Sequence, residues 1–586
     1  MEFKNLVDLC IRSVSTYADR ELFGTKTNGG WSWITYRQFG KQVDDVRAGL
    51  AARGIGAGDK VACVADNRVE WAVAAYATYG LGAQFVPMYE AQKPGEWKYI
   101  LADCSAKLVF GSKPDVVNKL RGIQPELPGL AHVIGFDLPE SDPDSFPALA
   151  AAGRAAPVAA IQPGWEDIAG FIYTSGTTGN PKGVLLSHGN ICSNVNAIHA
   201  CFTFTPEDRS LSFLPWAHSF GQTVELHGLL SMGASLAIND DVPNLLPNLA
   251  EVKPTILFAV PRVFNRVYDG LNKQIGERGP MVQRLFRAGL AAAIKRGAGE
   301  PIGVIDKVQL ALADRLIFSK ARGRLGGNLK YAISGSAALN ADVAKFIDAL
   351  GIQVYEGYGL TETSPIATAN YPGHRKIGSV GRAIPEVKVV IDTKASGDPV
   401  QGEIVIYGPN VMKGYHNLPD ANREVLIADG GFRTGDLGKV DSDGYLYITG
   451  RIKEQYKLEN GKYVVPSPLE EELKLSPFVA NVMIYGSNKP HNVALVVPDS
   501  VSLKKWAESE GIDVSGDLNG NEKIHAMYLK EIEAHSSRFK GYEKPQRLLF
   551  TWDDFTTENG MLTPTMKLKR QKVMDKYGEQ IEKLFS

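Results

Sequence analysis

One short stretch constrains this chain more than any other: Phe171-Ile172-Tyr173-Thr174-Ser175-Gly176-Thr177-Thr178-Gly179-Asn180-Pro181-Lys182-Gly183. It holds three glycines, four aliphatic hydroxyls and one lysine, and the strand-like run Val184-Leu185-Leu186 follows it. Glycines let backbone N–H groups approach an anion closely, hydroxyls add donors, and Lys182 adds a point charge. That is phosphate-binding chemistry. A Walker A loop needs Gly-Lys-Ser/Thr and then a helix, whereas Lys182 is followed by Gly183 and a strand. The loop therefore joins two strands and borrows no helix dipole. The bland alternative is a Gly/Ser/Thr-rich hairpin turn.

A chain of 586 residues far exceeds the roughly 250–300 at which one hydrophobic core stops growing, so two or more domains are expected. Up to about residue 379, helical patterns alternate with short apolar runs such as Lys60-Val61-Ala62-Cys63-Val64 and Lys107-Leu108-Val109-Phe110. This alternation predicts an α/β fold of layers around mostly parallel sheets. Residues 379–450 change texture to strand-like runs at 387–391, 403–407 and 445–449, a β-rich subdomain. Helices return around 467–475, 501–510 and 522–535, flanking strands at 479–485 and 493–497. The expected division is a large N-terminal domain over 1–450 and a small α+β domain over 451–586. Residues 262–327 read as helical and basic, with nine Lys/Arg against three Asp/Glu between Arg284 and Arg324. They form either solvated amphipathic helices or a surface for phosphates of a cofactor or of lipid headgroups.

Lys plus Arg (64) and Asp plus Glu (65) nearly cancel. No global field draws in nucleic acid, which is excluded as a default partner. The five cysteines form no C-x-x-C pair, and the start Met1-Glu2-Phe3-Lys4 has no secretory pattern. Residues 71–89 are Ala-rich but interrupted, which suits a buried helix and strand better than a membrane span. A cytoplasmic protein is expected, with any membrane association peripheral.

Further motifs follow along the chain. A strand at 329–333 leads into Ser334-Gly335-Ser336-Ala337-Ala338-Leu339, and a second at 353–355 into Glu356-Gly357-Tyr358-Gly359-Leu360-Thr361-Glu362-Thr363. Small, glycine-rich turns at strand ends are where open α/β sheets bind ligands. Beyond them come Phe432-Arg433-Thr434-Gly435-Asp436-Leu437-Gly438, then Gly450-Arg451-Ile452-Lys453, and near the end Met566-Lys567-Leu568-Lys569. His218 sits in Leu214-Pro215-Trp216-Ala217-His218-Ser219-Phe220-Gly221, and His188 in a Ser187-His188-Gly189-Asn190 turn.

In this order the motifs resemble those of the adenylate-forming superfamily, which contains acyl-CoA synthetases, luciferases and peptide-synthetase adenylation domains. The resemblance implies that Thr174, Ser175, Gly176, Thr177, Thr178, Gly179 and Lys182 bind ATP phosphates. Ser334, Gly335, Ser336 and Ala337 would form the adenine turn, with Glu356, Gly357, Tyr358 and Gly359 beside it. Tyr358 would stack on adenine, Thr361 would meet the α-phosphate, and Glu362 with Thr177 would hold Mg²⁺. Asp436 would accept from both ribose hydroxyls, with Arg451 also at the ribose, Lys453 as hinge and Lys457 at the cofactor. His218 would line the acyl carboxylate. The family has a Gly where Met566 stands, and alignment on the following Leu favours Lys567 over Lys569 as catalytic lysine.

Lys457-Leu458-Glu459-Asn460-Gly461-Lys462, Val260-Pro261-Arg262-Val263-Phe264 and Phe318-Ser319-Lys320 resemble the long-chain fatty acyl-CoA synthetases. The implied reaction makes acyl-AMP from a long-chain acid and ATP, then acyl-CoA from coenzyme A. Alternatives in the same class are a fatty acyl-AMP ligase serving a carrier protein and a medium-chain or aryl acyl-CoA synthetase. A nucleotide-binding scaffold is the alternative from another class.

Overall fold

A computed structural model describes residues 2–27, 29–174, 180–395, 400–514, 516–563 and 567–585. Among them the N-terminal domain holds two large sheets with parallel centres, the first antiparallel at one edge and the second at both. The first runs in space 414–415, 182–187, 168–174, 84–88, 60–64, 108–111, 132–135. The second runs 382–383, 366–369, 354–359, 331–334, 256–259, 209–212, 235–238, 21–27, 30–35.

Period-two alternation explains why the central strands read as unbroken apolar runs. In Lys60–Val64, Val61 and Cys63 face one buried layer while Ala62 and Val64 face another. In Ile256–Ala259, Ile256 and Phe258 point to the layer shared with the first sheet, and Leu257 and Ala259 to the opposite one. Strands buried on both faces have no polar side to show. The shared layer contains helices Val69–Tyr79, His188–Cys201 and the wide-turn segment Phe220–His227. The outer faces carry helices Pro94–Asp103 and Pro114–Ile123 on the first sheet, and Pro261–Gly276, Pro280–Gly297 and Ala341–Ala349 on the second. The architecture is five layers, α/β/α/β/α.

Strands Lys388–Asp392, Gly402–Tyr407, Phe432–Val440 and Leu446–Arg451 make an antiparallel sheet. Thr-Gly-Asp therefore lies within a strand, Phe432–Val440, that is not among the runs read from the sequence. The C-terminal domain is built on strands Val479–Tyr485, Asn492–Pro498 and Pro545–Phe550. One face packs on helices Pro466–Leu473, Ser500–Glu510 and Glu522–His535, the other on Arg570–Glu582.

Candidate active site

The site forms where the ends of both sheets, the antiparallel sheet and the C-terminal domain converge. Strands Ile168–Thr174 and Lys182–Ser187 pair antiparallel, with Thr174 opposite Lys182 and Tyr173 opposite Gly183. Ser175, Gly176, Thr177, Thr178 and Gly179 lie outside the described residues. A Cβ on Gly183 would meet the Tyr173 ring at 2.9 Å, so glycine lets that ring lie flat on the hairpin. The Tyr173 hydroxyl donates to Asp103 Oδ2 at 2.6 Å. Lys182 Nζ lies 4.9 Å from the centre of the Tyr415 ring, a cation–π distance. Tyr415, in the edge strand Gly414–Tyr415, donates its hydroxyl to Glu362 Oε1 at 2.8 Å. Lys182, Tyr415 and Glu362 thus link the phosphate-type loop to the second glycine turn.

That turn leaves strand Val354–Gly359 and closes as Thr361–Thr363. Gly359 is obligatory, because a Cβ would fall 1.7 Å from the Pro365 carbonyl oxygen. Asn194 braces the turn from below: it accepts from the Ile366 N–H at 2.6 Å and donates toward the Thr363 and Ile366 carbonyls. Glu356 points into the first turn and accepts the Leu339 N–H at 2.9 Å. Burial raises its carboxyl to about 7. Ser334 Oγ is buried without a partner among the described residues, Gly335 faces the Phe220 ring, and Ser336 adopts φ +70°. An unpaired donor beside an aromatic wall and a bare glycine suits a flat polar heterocycle. Ala337 shares this turn.

Asp436 anchors the other side. It is buried and accepts the Tyr358 hydroxyl at 2.7 Å and Arg451 Nε at 2.8 Å. Burial and the Asp436 charge push the Tyr358 hydroxyl well up, and Asp436 holds Arg451 above its usual range. Thr361 Oγ1 lies 3.3 Å from Ser219 Oγ, next to His218. His218 Nδ1 accepts the Phe220 N–H at 3.2 Å. Burial, then the charge of Lys567, lowers its imidazole to about 4, so it is neutral near pH 7.

Lys567 reaches this cluster from the C-terminal domain. Burial and then the Arg451 charge lower its ammonium, opposed by Asp436, Glu362 and Glu454. Water still reaches the side chain in the cleft, although protein surrounds it on most sides. Its turn is clamped by Thr563, whose N–H donates to the Lys567 carbonyl at 2.8 Å and whose Oγ1 accepts the Lys567 N–H at 3.0 Å. Lys569 instead caps the start of helix Arg570–Glu582. Lys453 and Lys457 are exposed, and no hydrogen bond or ion pair ties either to the cluster among the described residues. His188 proves to be the first residue of a helix, buried, with Nδ1 accepting the Leu6 N–H.

Two polar arrangements escaped the sequence. Glu472 of the C-terminal domain accepts Asn340 Nδ2 at 2.8 Å and Arg538 Nη2 at 2.7 Å, and Asn340 caps the helix that follows the first turn. Arg570 pairs with buried Glu470 and donates to Ser467 Oγ at 3.1 Å, and Ser467 in turn donates to Glu454 in the Ile452–Glu454 turn. This chain ties the Lys567 arm to the connection between domains.

Among the described residues no group of three or more His, Cys, Asp or Glu could hold a metal. A hard cation at Glu362 would take its remaining ligands from phosphate oxygens and water, the usual manner for Mg²⁺. The single carboxylate fits that role.

Residues 11–416 match the model of the AMP-binding enzyme family, and residues 453–586 that of the AMP-binding enzyme C-terminal domain. The chain is 32% identical to long chain acyl-CoA synthetase 7, peroxisomal, of Arabidopsis thaliana, covering 100% of this chain and 87% of the relative. It is also 32% identical to long-chain-fatty-acid–CoA ligase 1 of Homo sapiens, over 96% of this chain and 83% of the relative. Among solved structures it superposes on ATP-bound MatB from Rhodopseudomonas palustris with TM-score 0.73 and 26% identity, over 98% and 100% of the two chains. The A-PCP didomain of carboxylic acid reductase from Segniliparus rugosus, in complex with AMP, gives TM-score 0.80 at 22% identity, over 100% of this chain and 82% of the other.

Proposed function

We infer the reaction from the premise that the chain belongs to the AMP-binding enzyme family: it joins a carboxylic acid to AMP with release of pyrophosphate, then passes the acyl group to coenzyme A with release of AMP. The acid is a long-chain fatty acid. Identity along the whole chain to relatives named for that substrate supports this choice over a carrier-loading or aryl-acid enzyme.

A carboxylate acylates poorly because its leaving group would be oxide. Attack of a carboxylate oxygen on the ATP α-phosphorus expels pyrophosphate and leaves an acyl group whose leaving group is AMP. The coenzyme A thiol then attacks the acyl carbon, AMP departs, and the thiol proton passes to solvent. The first step gathers a carboxylate and a triphosphate, so cations must offset the like charges. We assign Lys182 to the leaving pyrophosphate and Lys567 to the charge developing between carboxylate and α-phosphate. Glu362, with Thr177, would hold Mg²⁺, which when bound neutralises phosphate charge. Asp436 and Arg451 hold the ribose, Tyr358 and the 334–337 turn the adenine, and neutral His218 adjoins the acyl carboxylate.

The observation that carries this reading is the proximity of Lys567 to Arg451, Asp436 and Glu362, near enough for their charges to act on its ammonium, an arrangement suited to the first step. We take residues 1–450 and 451–586 as the two domains and Lys453 as the hinge. Swinging the small domain about it withdraws Lys567 and frees a path for the thiol. Lys457, beyond the hinge, then serves the cofactor side. The test is pyrophosphate and AMP release from Mg-ATP, coenzyme A and saturated acids of graded length. A maximum at long chains with acid-dependent AMP supports the reading, and pyrophosphate without thioester would point to an acyl-AMP ligase.

The reading includes a reducing cytoplasm, with which the five free thiols are compatible. Long-chain acids partition into bilayers, so the reading extends to a peripheral encounter with membrane.

A further inference from the structure

The basic segment between strands Ile256–Ala259 and Tyr331–Ser334 folds as an outer helical layer, and one helix turns apolar side chains to water. Helix Val304–Ala313 continues through the wider turn Asp314–Phe318 into Ser319–Arg324. Its inner face is buried: Leu310, Ala313, Ile317 and Phe318 join the core under the second sheet, and Gly289 lets Ala313 approach the neighbouring helix. The outer face is not the polar face a solvated helix presents. Val304, Ile305, Val308, Leu312 and Leu316 are 77, 73, 54, 47 and 51% exposed. Fourfold spacing puts Val304, Val308, Leu312 and Leu316 in one line, about 18 Å long at the helical rise. A contiguous exposed apolar stripe marks an interaction surface.

The charges around it state the sign of the partner. Lys307 and Arg315 fall on the same exposed face, Arg284, Arg287 and Lys295 stand on the adjacent helix Pro280–Gly297, and Lys320 follows the stripe. None of these six makes an ion pair among the described residues. The nearby Asp314 is already paired with Arg322 at 2.7 Å. Apolar residues rimmed by unpaired cations suit a surface that offers acyl chains below and anions above. Among the described residues no helix is long and apolar enough to cross a membrane.

We propose that the outer face of 304–316 docks the protein on an anionic lipid surface. The helix lies in the headgroup plane, its aliphatic line enters the acyl boundary, and Lys307 and Arg315 extend their stems back to the lipid phosphates. The proposal rests on the long-chain reading for its purpose, since such an acid resides in the bilayer, and not for its geometry.

Flotation of the full chain tests it, with vesicles of phosphatidylcholine plus phosphatidylglycerol set against phosphatidylcholine alone. The wild type is expected to float with the anionic vesicles and to be released by salt. The double variant Val308→Asp, Leu312→Asp is expected to lose binding by about tenfold or more, and Lys307→Gln or Arg315→Gln by about fivefold each. All three should keep the wild-type melting temperature and pyrophosphate release with a water-soluble acid. Wild-type protein that stays at the bottom of the gradient overturns the proposal, as does a double variant that floats equally well. A dimer abolished by the double variant, without vesicle binding, assigns the face to a second copy and also overturns it. Flotation needs no turnover, so absence of pyrophosphate release with every acid would sink the enzymatic reading separately.

Discussion

Asp436 and Arg451 face each other across adjacent antiparallel strands, and Arg451 Nε donates to Asp436 Oδ1 at 2.8 Å. The other carboxylate oxygen takes the Tyr358 hydroxyl. Each oxygen keeps a further lone pair, so Asp436, oriented by the other two residues, retains an acceptor on both oxygens. Asp436→Ala removes it and leaves the Arg451 cation without its counter-charge. AMP affinity, measured by calorimetry, is expected to fall by about tenfold or more, while Asp436→Asn falls less.

Lys567→Ala is expected to abolish acyl-AMP formation and to spare thioester formation from supplied acyl-AMP. Equal loss in both half-reactions would contradict the assignment. Burial and Arg451 lower this ammonium, so its proton leaves at a pH below that of a free lysine. The protonated form is the active one, so kcat/KM for adenylation should fall as pH rises through that lowered value. Thioester formation from supplied acyl-AMP should lack this alkaline limb.

Glu472 holds Asn340 of the large domain and Arg538 of its own. Glu472→Ala removes a contact between the two domains that is present in the arrangement bringing Lys567 near Arg451 and Asp436. Adenylation should slow by about three- to tenfold, the range of one charge-assisted hydrogen bond partly open to water. The thiol-transfer half-reaction should be unchanged or faster. Slowing of both by the same factor would mean general damage.

Glu356, raised to about 7 by burial, makes stability fall with pH. Its folded pKa lies above the unfolded value, so no penalty applies below about pH 4.3, and the full penalty is present above pH 7. Glu356→Gln keeps an acceptor for the Leu339 N–H and never ionises. The unfolding free-energy difference, variant minus wild type, should therefore increase as pH rises from 4.5 to 7, by up to about 1.4 kcal/mol per pH unit, read from denaturant melts. A constant difference would contradict a buried, titrating Glu356.

Arg570→Ala strips the counter-charge from buried Glu470. Breaking such a pair is expected to cost about 3–5 kcal/mol, read as a lower unfolding midpoint of the C-terminal domain.

Much of this was legible in the chain. The αβ layers, the hairpin around the phosphate-type loop and the glycine turns at strand ends all showed, because periodicity and turn chemistry are local signals. The Thr-Gly-Asp motif was legible, yet its strand Phe432–Val440 was not: Arg433-Thr434-Gly435-Asp436 breaks the apolar alternation by which a strand is read. Strand Pro545–Phe550 was hidden by Gln546 and Arg547. Tyr415 carries no motif of its own, and reaches Glu362 only because its short strand extends the first sheet. Glu470 and Glu472 sit in a run of three acids that reads as a solvated face, and only the packing of helix Pro466–Leu473 separates their partners. Contacts between domains leave no spacing for a sequence to display.

Arg451 is the last residue of its strand, and the turn Ile452–Glu454 begins immediately after it. Everything assigned to grip the nucleoside therefore lies upstream of that turn, and the lysine assigned to the first chemical step lies downstream. If the small domain swings there, the adenylate stays clamped while its neighbour departs. The mixed anhydride, hydrolytically fragile once free, then has no interval in which to diffuse away, and the nucleotide becomes a tether that outlasts the bond it was used to make.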